Sequence, residues 1–465
     1  MSDNTKIPTS RAARTAVLGR LAAGQAARHA GAKISTLGRS DERKAEVMDR
    51  RVAEAASALV DALGLMRGAA MKVGQMLSML DVGLIPEEFR EDFQRSLADL
   101  RDNAPTVRFN EMRAVIEGDL GSKMKDVFSS FDETPVGAAS IGQVYRATLL
   151  DGREVAVKVQ YPGIDRAVRA DLKNLGMVMR AIKLIAPEMD VAALTEEIRA
   201  RIEEELDYEL EAQNQRMAAR LYADHPFIFV PAVISSLCGP HVLVSEFFEG
   251  RKFDDIAADP DQALRDRVGE IIFRFFGGSL YAHAQFSPDP HPGNFLVADD
   301  GRVAFLDFGL YRHVGPEAMA TQKGILQRVF ERDEAGLHSL LHSSGFIMDP
   351  AAVTPEIAMA YVREVFWWMA EPDITLTSDR VNKAMARVAN PASDYFNLAR
   401  KQNMPSDFIF IVRMVVMVMA AVGQLESKVD WNAVAREWLF DDEPVTELGR
   451  QERAYRFGTP LAVTA

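Results

Sequence analysis

One cysteine, Cys238, is all the sequence carries, so no intrachain disulfide and no thiolate metal cluster can form. A lone thiol fits a reducing compartment. Positive charge is also short: 54 Lys and Arg face 67 Asp and Glu, a formal net charge of −13. Non-specific nucleic-acid binding needs a broad positive field, and this balance argues against it. No uncharged apolar run reaches the length of about 18 residues that marks a membrane span. The nearest is Phe408 to Val422, FIFIVRMVVMVMAAV, which Arg413 interrupts. Two readings of it stand side by side, a buried helix of a helical domain and a membrane-touching helix. Met414, Met417, Met419 and the nearby Met404 suit either, because thioethers adapt to both kinds of apolar surface. The first 20 residues have no apolar core of a secretory signal.

What is present is ordinary for a globular protein: 465 residues, 48% hydrophobic and 26% charged, enough for two or three domains. Residues 5–44 are basic, alanine-rich and poor in acid, with Lys6, Arg11, Arg14, Arg20, Arg28, Lys33, Arg39, Arg43 and Lys44 against Asp41 and Glu42. Such a start reads as a plain extension, a mitochondrial transit peptide or a contact with an anionic membrane. Residues 45–101 have helical spacing, with a break at Gly83 and Pro86. The polar stretch Arg101 to Thr106 closes that unit.

From residue 107 the pattern changes. A helix around 109–118 is followed by a hairpin: Gln143 to Leu150, a turn at Asp151-Gly152, and Glu154 to Gln160. On the second strand Val155, Val157 and Val159 share one face, and Ala156, Lys158 and Gln160 share the other. Residues 165–223 read as helices, with one acidic helix from about Thr195 to Ala218. Residues 227–248 read as strands ending in VLVSEFFEG, where Glu246 is a candidate nucleotide contact. From 261 on the chain is mostly helical, with short strands at Phe295 to Val297 and Val303 to Leu306.

The chemistry concentrates in SPDPHPGNFLVADDGRVAFLDFGL. Asp289 and Asn294 lie five apart, and Asp307-Phe308-Gly309 follows 13 residues after Asn294, across a hairpin turning at Asp300-Gly301. Asn294 and Asp307 bring two hard oxygen-bearing groups together, which suits magnesium on a triphosphate. Asp289 beside them can orient or deprotonate an attacking hydroxyl or water. This interval and order are those of kinase-like enzymes, and VAVKVQ around Lys158 is similar to the strand whose lysine binds phosphates. His291, between two prolines, reads chiefly as a loop-shaping hydrogen-bonder. Glu205 and Glu211 lie six apart and would differ by about 240° on one ideal helix, so they would address different partners.

These residues resemble the UbiB (ADCK, AarF-domain) atypical kinases over about residues 60–425. The resemblance rests on Lys72-Val73-Gly74-Gln75, on Ala138-Ala139-Ser140-Ile141-Gly142-Gln143-Val144, on Glu205-Leu206-Asp207 with Glu211, and on Asp289-Pro290-His291-Pro292-Gly293-Asn294 with Asp307-Phe308-Gly309. It implies an α+β, bilobal protein-kinase-like fold with a helical extension over the cleft. The implied organisation is a basic extension at 1–44, a helical unit at 45–106, an N-lobe at 107–250 and a mostly helical C-lobe at 251–465.

The resemblance also implies roles. Lys158, paired with Glu211, and Asp289 would be catalytic. Ala138, Ala139, Ser140, Gln143, Lys158 and Glu246 would contact ATP or ADP, and Asn294 and Asp307 would hold Mg2+. Glu205 and Asp207 would engage Lys72 and Gln75 in regulation. The alanines stiffen a loop that is glycine-rich in other phosphate sites, which would change nucleotide preference.

The implied setting is ubiquinone or related isoprenoid-lipid metabolism. The expected partners are a nucleotide, an isoprenoid lipid or quinone intermediate, a membrane surface, and a second copy or biosynthetic complex. The expected location is cytoplasmic at the inner membrane, or the mitochondrial matrix. No His-Arg-Asp precedes Asn294 and no Ala-Pro-Glu follows Gly309; Ser287-Pro288 stands before Asp289, and residues 315–345 read as helices. Three activities remain open: an ATPase or small-molecule or lipid kinase, a nucleotide-switched scaffold, and a protein kinase.

Overall fold

The computed structural model describes residues 107–139, 141–170, 191–372, 374–389 and 406–457, with Leu172, Leu175 and Met179 in addition. The basic extension, the segment holding Lys72 and Gln75, and Ser140 lie outside the described residues. Two compact units divide the chain. The first includes residues 107–150, 157–207 and 239–242, and the second includes 151–156, 208–238 and 243–457.

In the first unit, α1 (Phe109–Leu120) stops at Gly121, whose φ of 63° is the left-handed conformation common after helix ends. β1 (Phe128–Phe131), β2 (Gly137–Ala139), β3 (Gly142–Leu149) and β4 (Glu154–Gln160) follow. β1 and β2 both pair antiparallel with β3, and the sheet continues through β4 to β6 (Val242–Glu246). The Asp151-Gly152 turn joins β3 to β4 as expected, with Gly152 at φ 89°. Phe109, Phe131 and Tyr145 form a triangle of rings with centroids 5.5 Å apart, which fixes α1 against the sheet. Val157 and Val159 are fully buried and Lys158 is half-buried, as strand alternation requires.

The acidic helix differs from its expected form. It is two helices, α2 (Val191–Glu205) and α3 (Tyr208–Leu221), broken at Leu206-Asp207. Gln160, expected on the face of Lys158, is buried and donates from Nε2 to the Leu206 carbonyl at 2.8 Å. It thereby satisfies a carbonyl just beyond the end of α2. Glu205 and Asp207 therefore belong to the first unit and Glu211 to the second, and a single-helix angle between them has no meaning.

The second unit is mainly helical. β5 (Ile228–Phe229), β7 (Arg251–Lys252), β9 (Phe295–Val297) and β10 (Val303–Phe305) form a sheet ordered β5-β10-β9-β7. The expected strands over 227–248 are thus cut to β5 and β6, separated by a 3-10 turn at Ser235–Leu237. After α4 (Phe253–Ala257) comes the long α5 (Gln262–His283), capped by Asp261 accepting from the Ala263 and Leu264 amides. Fourteen of its residues are buried, among them Ile271, Phe273, Phe275 and Leu280. At Gly277 a Cβ would stand 2.7 Å from the Trp438 ring, so only glycine allows that approach.

β8 (Gln285–Phe286) pairs antiparallel with β11 (Arg312–His313). Helices α6 (Pro316–Glu331), α7 (Glu334–Ser343), α8 (Pro355–Ala370), α9 (Ser378–Ala389), α10 (Ser406–Gln424), α11 (Trp431–Leu439) and α12 (Glu447–Phe457) follow among the described residues. The apolar run at 408–422 lies in α10, with Phe408, Ile411, Met414, Val415, Val418 and Val422 buried in the core and the helix packed on α5. Among the described residues no helix is long and apolar enough to cross a membrane.

Candidate active site

The site is assembled on the two short connections that follow α5. At the end of α5, Ala284 takes φ 53° and its amide donates to the Leu280 carbonyl at 2.9 Å. A left-handed alanine costs about 1–2 kcal/mol, and here it swings the chain into β8 and the loop 287–294. Inside the loop the His291 amide donates to the Asp289 carbonyl at 2.8 Å, and the Asn294 amide to the His291 carbonyl at 2.9 Å. His291 Nδ1 accepts from the Gly293 amide at 3.0 Å, so this imidazole shapes the turn, as expected. The loop then enters β9.

The hairpin brings the second half of the site back. Ala298 and Arg302 pair across the turn, and Gly301 takes φ 80°. The Leu306 amide donates to the Asn294 carbonyl at 3.1 Å, which places Asp307 against Asn294. Asn294 Nδ2 donates to Asp307 Oδ2 at 3.1 Å, and the Gly309 amide donates to Asp307 Oδ1 at 2.9 Å. Phe308 is wholly buried in the core and anchors the segment.

Two residues of α3 lie beside it. Asn214, one helical turn after Glu211, is buried and donates from Nδ2 to the Phe308 carbonyl at 3.0 Å. A Cβ on Gly309 would lie 3.4 Å from Asp307 Oδ1 and 3.8 Å from Glu211 Oε2. The buried Glu211 carboxylate therefore stands next to Asp307-Phe308-Gly309. Asp289 is half-buried. Its Oδ1 lies 3.3 Å from Nη2 of Arg413 on α10, an ion pair spanning 124 residues of sequence.

The donor set fits a hard cation. Asn294 brings a side-chain amide against the Asp307 carboxylate, here through Nδ2. The pair thus carries an amide and a carboxylate oxygen that would hold magnesium, with waters and substrate phosphates completing its shell. Among the described residues no group of three His, Cys, Asp or Glu could hold a metal unaided. When bound, such a cation would neutralise charge on the phosphates.

Other expected residues lie as follows. Lys158 is on β4 in the first unit. Gln143, buried on β3, accepts from the Tyr145 hydroxyl at 2.6 Å. Ala138 and Ala139 are strand residues of β2, opposite Gln143 and Gly142. Glu246, exposed at the end of β6, accepts from the Ala232 amide at 3.3 Å. Glu205 ends α2, and Asp207 is exposed at the break. Sequence reasoning passed over Asn214 and Arg413 as site residues. Their signals were the i, i+3 spacing from Glu211 and the single charge in an apolar run.

After leaving the site the chain has only residues 310–315 before α6 begins at Pro316. Part of that short stretch is spent on β11. A protein kinase carries its activation loop at this place.

Comparison with known proteins agrees with this architecture. The ABC1 atypical kinase-like domain matches residues 99–341, more than half of the chain. The atypical kinase coq-8, mitochondrial, of Caenorhabditis elegans is 27% identical over 420 residues, 86% of this chain and 55% of that protein. AarF domain-containing protein kinase 1 of Mus musculus is 34% identical over 277 residues, 58% of this chain and 52% of that protein. The chain thus spans about half the length of these curated relatives. Among solved structures, the Mycobacterium tuberculosis protein Rv3197 in complex with erythromycin is 33% identical with a TM-score of 0.62, covering 86% of this chain and 98% of that one. A kinase-like loop pair on a mixed α+β frame and a matched domain over most of it lead to one statement: the chain belongs to the ABC1 atypical kinase-like, or UbiB, family.

Proposed function

We propose that this protein is an atypical kinase-like ATPase. It binds Mg-ATP and Mg-ADP and supports ubiquinone or isoprenoid-lipid metabolism by hydrolysing ATP or phosphorylating a small molecule or lipid. The observation that carries the reading is the pairing of Asn294 with Asp307 across a hairpin, at 3.1 Å, with Asp289 on the same loop as Asn294. Asn294 and Asp307 hold the metal on the triphosphate. Asp289 orients the attacking oxygen. Lys158 supplies an ammonium group to the phosphates. The metabolic setting rests on the relatives, one of which is named coq-8. The short stretch 310–315 speaks against a polypeptide acceptor.

A second reading is a nucleotide-switched scaffold with little turnover. Ala138 and Ala139 favour it, because they are bound into β2 where a glycine loop would be free to follow the phosphates.

The deciding experiment measures phosphate release and label transfer from γ-labelled ATP. The full chain is used with anionic vesicles, with and without a quinone precursor. Turnover that rises with the vesicles and vanishes in Asp289→Asn supports the enzyme. Tight nucleotide binding with no phosphate release under any condition establishes the scaffold instead.

A further inference from the structure

Arg413 is the single charge between Phe408 and Val422 in α10. Its side chain is only 19% exposed, and so is poorly hydrated. A guanidinium in such a place is costly unless paired, and an apolar side chain of similar volume would pack the helix at least as well. Helix stability therefore gives no reason for it. Its partner does: Nη2 lies 3.3 Å from Oδ1 of Asp289, which is 20% exposed.

The loop has a matching deficiency. Ser287 to Asn294 carries no lysine or arginine, and His291 Nδ1 is used as an acceptor for the Gly293 amide. Phosphoryl transfer brings a carboxylate and a negatively charged transferring group close together, and a fixed cation stabilises that arrangement. The neighbouring Arg312 is stacked on Phe410 of the same helix, with its guanidinium carbon 5.4 Å from the ring centroid.

We propose that Arg413 is the positioning residue for Asp289. It holds the carboxylate by Oδ1 and supplies from α10 the positive charge that the loop lacks. This rests on the reading of Asp289 given above. Oδ2 then faces the acceptor. The acceptor oxygen forms its bond to the γ-phosphorus, the bond from that phosphorus to the ADP oxygen breaks with its electron pair leaving on ADP, and the acceptor's proton passes to Asp289 Oδ2.

The test uses the full chain and compares Arg413→Met, Arg413→Lys, Asp289→Asn and the double variant Arg413→Met/Asp289→Asn. ATP turnover, Mg-ADP affinity and melting temperature are measured for each. Asp289 keeps 20% exposure and can rehydrate, unlike the sealed partners of Arg274, so Arg413→Met should melt close to the parent, bind Mg-ADP within threefold of it, and lose at least tenfold in kcat. Arg413→Lys should recover part of that loss. Adding Arg413→Met to Asp289→Asn should cost less than twofold more. A parallel fall in melting temperature and turnover for both Arg413 variants would make the ion pair a structural fastening and overturn the proposal. Wild-type turnover in Arg413→Met with an inactive Asp289→Asn would overturn it alone. Wild-type turnover in Asp289→Asn would overturn the reading beneath it, and the proposal with it.

Discussion

Arg274 on α5 is a wholly buried cation away from the site, and its replacement by methionine gives a quantitative test. Its side chain has no exposure and meets Glu270 at 2.7 Å, Glu437 at 2.8 Å, Glu452 at 2.8 Å and the Thr446 hydroxyl at 3.0 Å. The three carboxylates are themselves only 8–9% exposed. They come from α5, α11 and α12, so one guanidinium joins three helices. Arg274→Met fills most of the volume but leaves the carboxylates without their cation. Removing one partner of a buried pair costs about 3–5 kcal/mol.

The cost depends on pH. Burial already raises the Glu452 carboxyl above its ordinary value, and Arg274 opposes that rise. Without the arginine the folded-state value climbs further above the unfolded one. The folded variant then binds more protons than the unfolded chain, so its stability improves as pH falls. Each unit of additional shift is worth about 1.4 kcal/mol.

All four tryptophans, Trp367, Trp368, Trp431 and Trp438, lie in the second unit, so their fluorescence during urea unfolding reports this unit. The variant should be about 4 kcal/mol less stable at pH 8, and the deficit should shrink by at least roughly 1 kcal/mol by pH 5.5. A deficit under about 1 kcal/mol at pH 8, or one that grows on acidification, would refute the reasoning.

Two further outcomes are expected. His225 is buried among the rings of Tyr222, Phe227 and Tyr455, its Nδ1 accepts from the Ile228 amide at 3.0 Å, and burial together with the Arg274 charge lowers it to about 3. The unfolded state therefore binds the extra proton: wild type should lose stability as pH falls from about 6.5 toward 3, by at most about 5 kcal/mol, and a His225→Asn urea series should show a flatter pH slope. Asn214→Leu should cost about 1–3 kcal/mol by the same fluorescence assay, because it orphans the Phe308 carbonyl, and should lower ATP turnover more than a distant variant of equal stability loss.

Local signals were the readable ones. The two Asp-Gly turns, at 151–152 and 300–301, place their glycines at positive φ and build the two hairpins that the alternating residues called for. The loop from Asp289 to Asn294 and the return to Asp307 needed only short-range geometry, so its spacing carried the site directly. The break between α2 and α3 was hidden because Leu206-Asp207 contains no proline or glycine. It is sustained by distant Gln160, which bonds the Leu206 carbonyl from β4.

Arg413 stood out as a charge in an apolar run, but neither it nor Asn214 was legible as a partner. Their contacts to Asp289 and Phe308 join residues about a hundred positions apart, and no local periodicity encodes such pairings. What covers Gln160 was unreadable for a related reason: strand alternation gives the face of a side chain but not what packs over it. The contact of Glu246, a candidate nucleotide contact, with the Ala232 amide was likewise not encoded locally.

The proposed activity stands or falls with whether Asn294 and Asp307 hold a magnesium-bound nucleotide. Titration of the full chain with ADP, in magnesium and again in EDTA, tests it most directly, with Asp307→Asn alongside. Binding should be saturable, require magnesium and weaken at least tenfold in Asp307→Asn, while the melting temperature without nucleotide stays near that of the parent. Nucleotide affinity that is equal in EDTA and untouched by Asp307→Asn would contradict it.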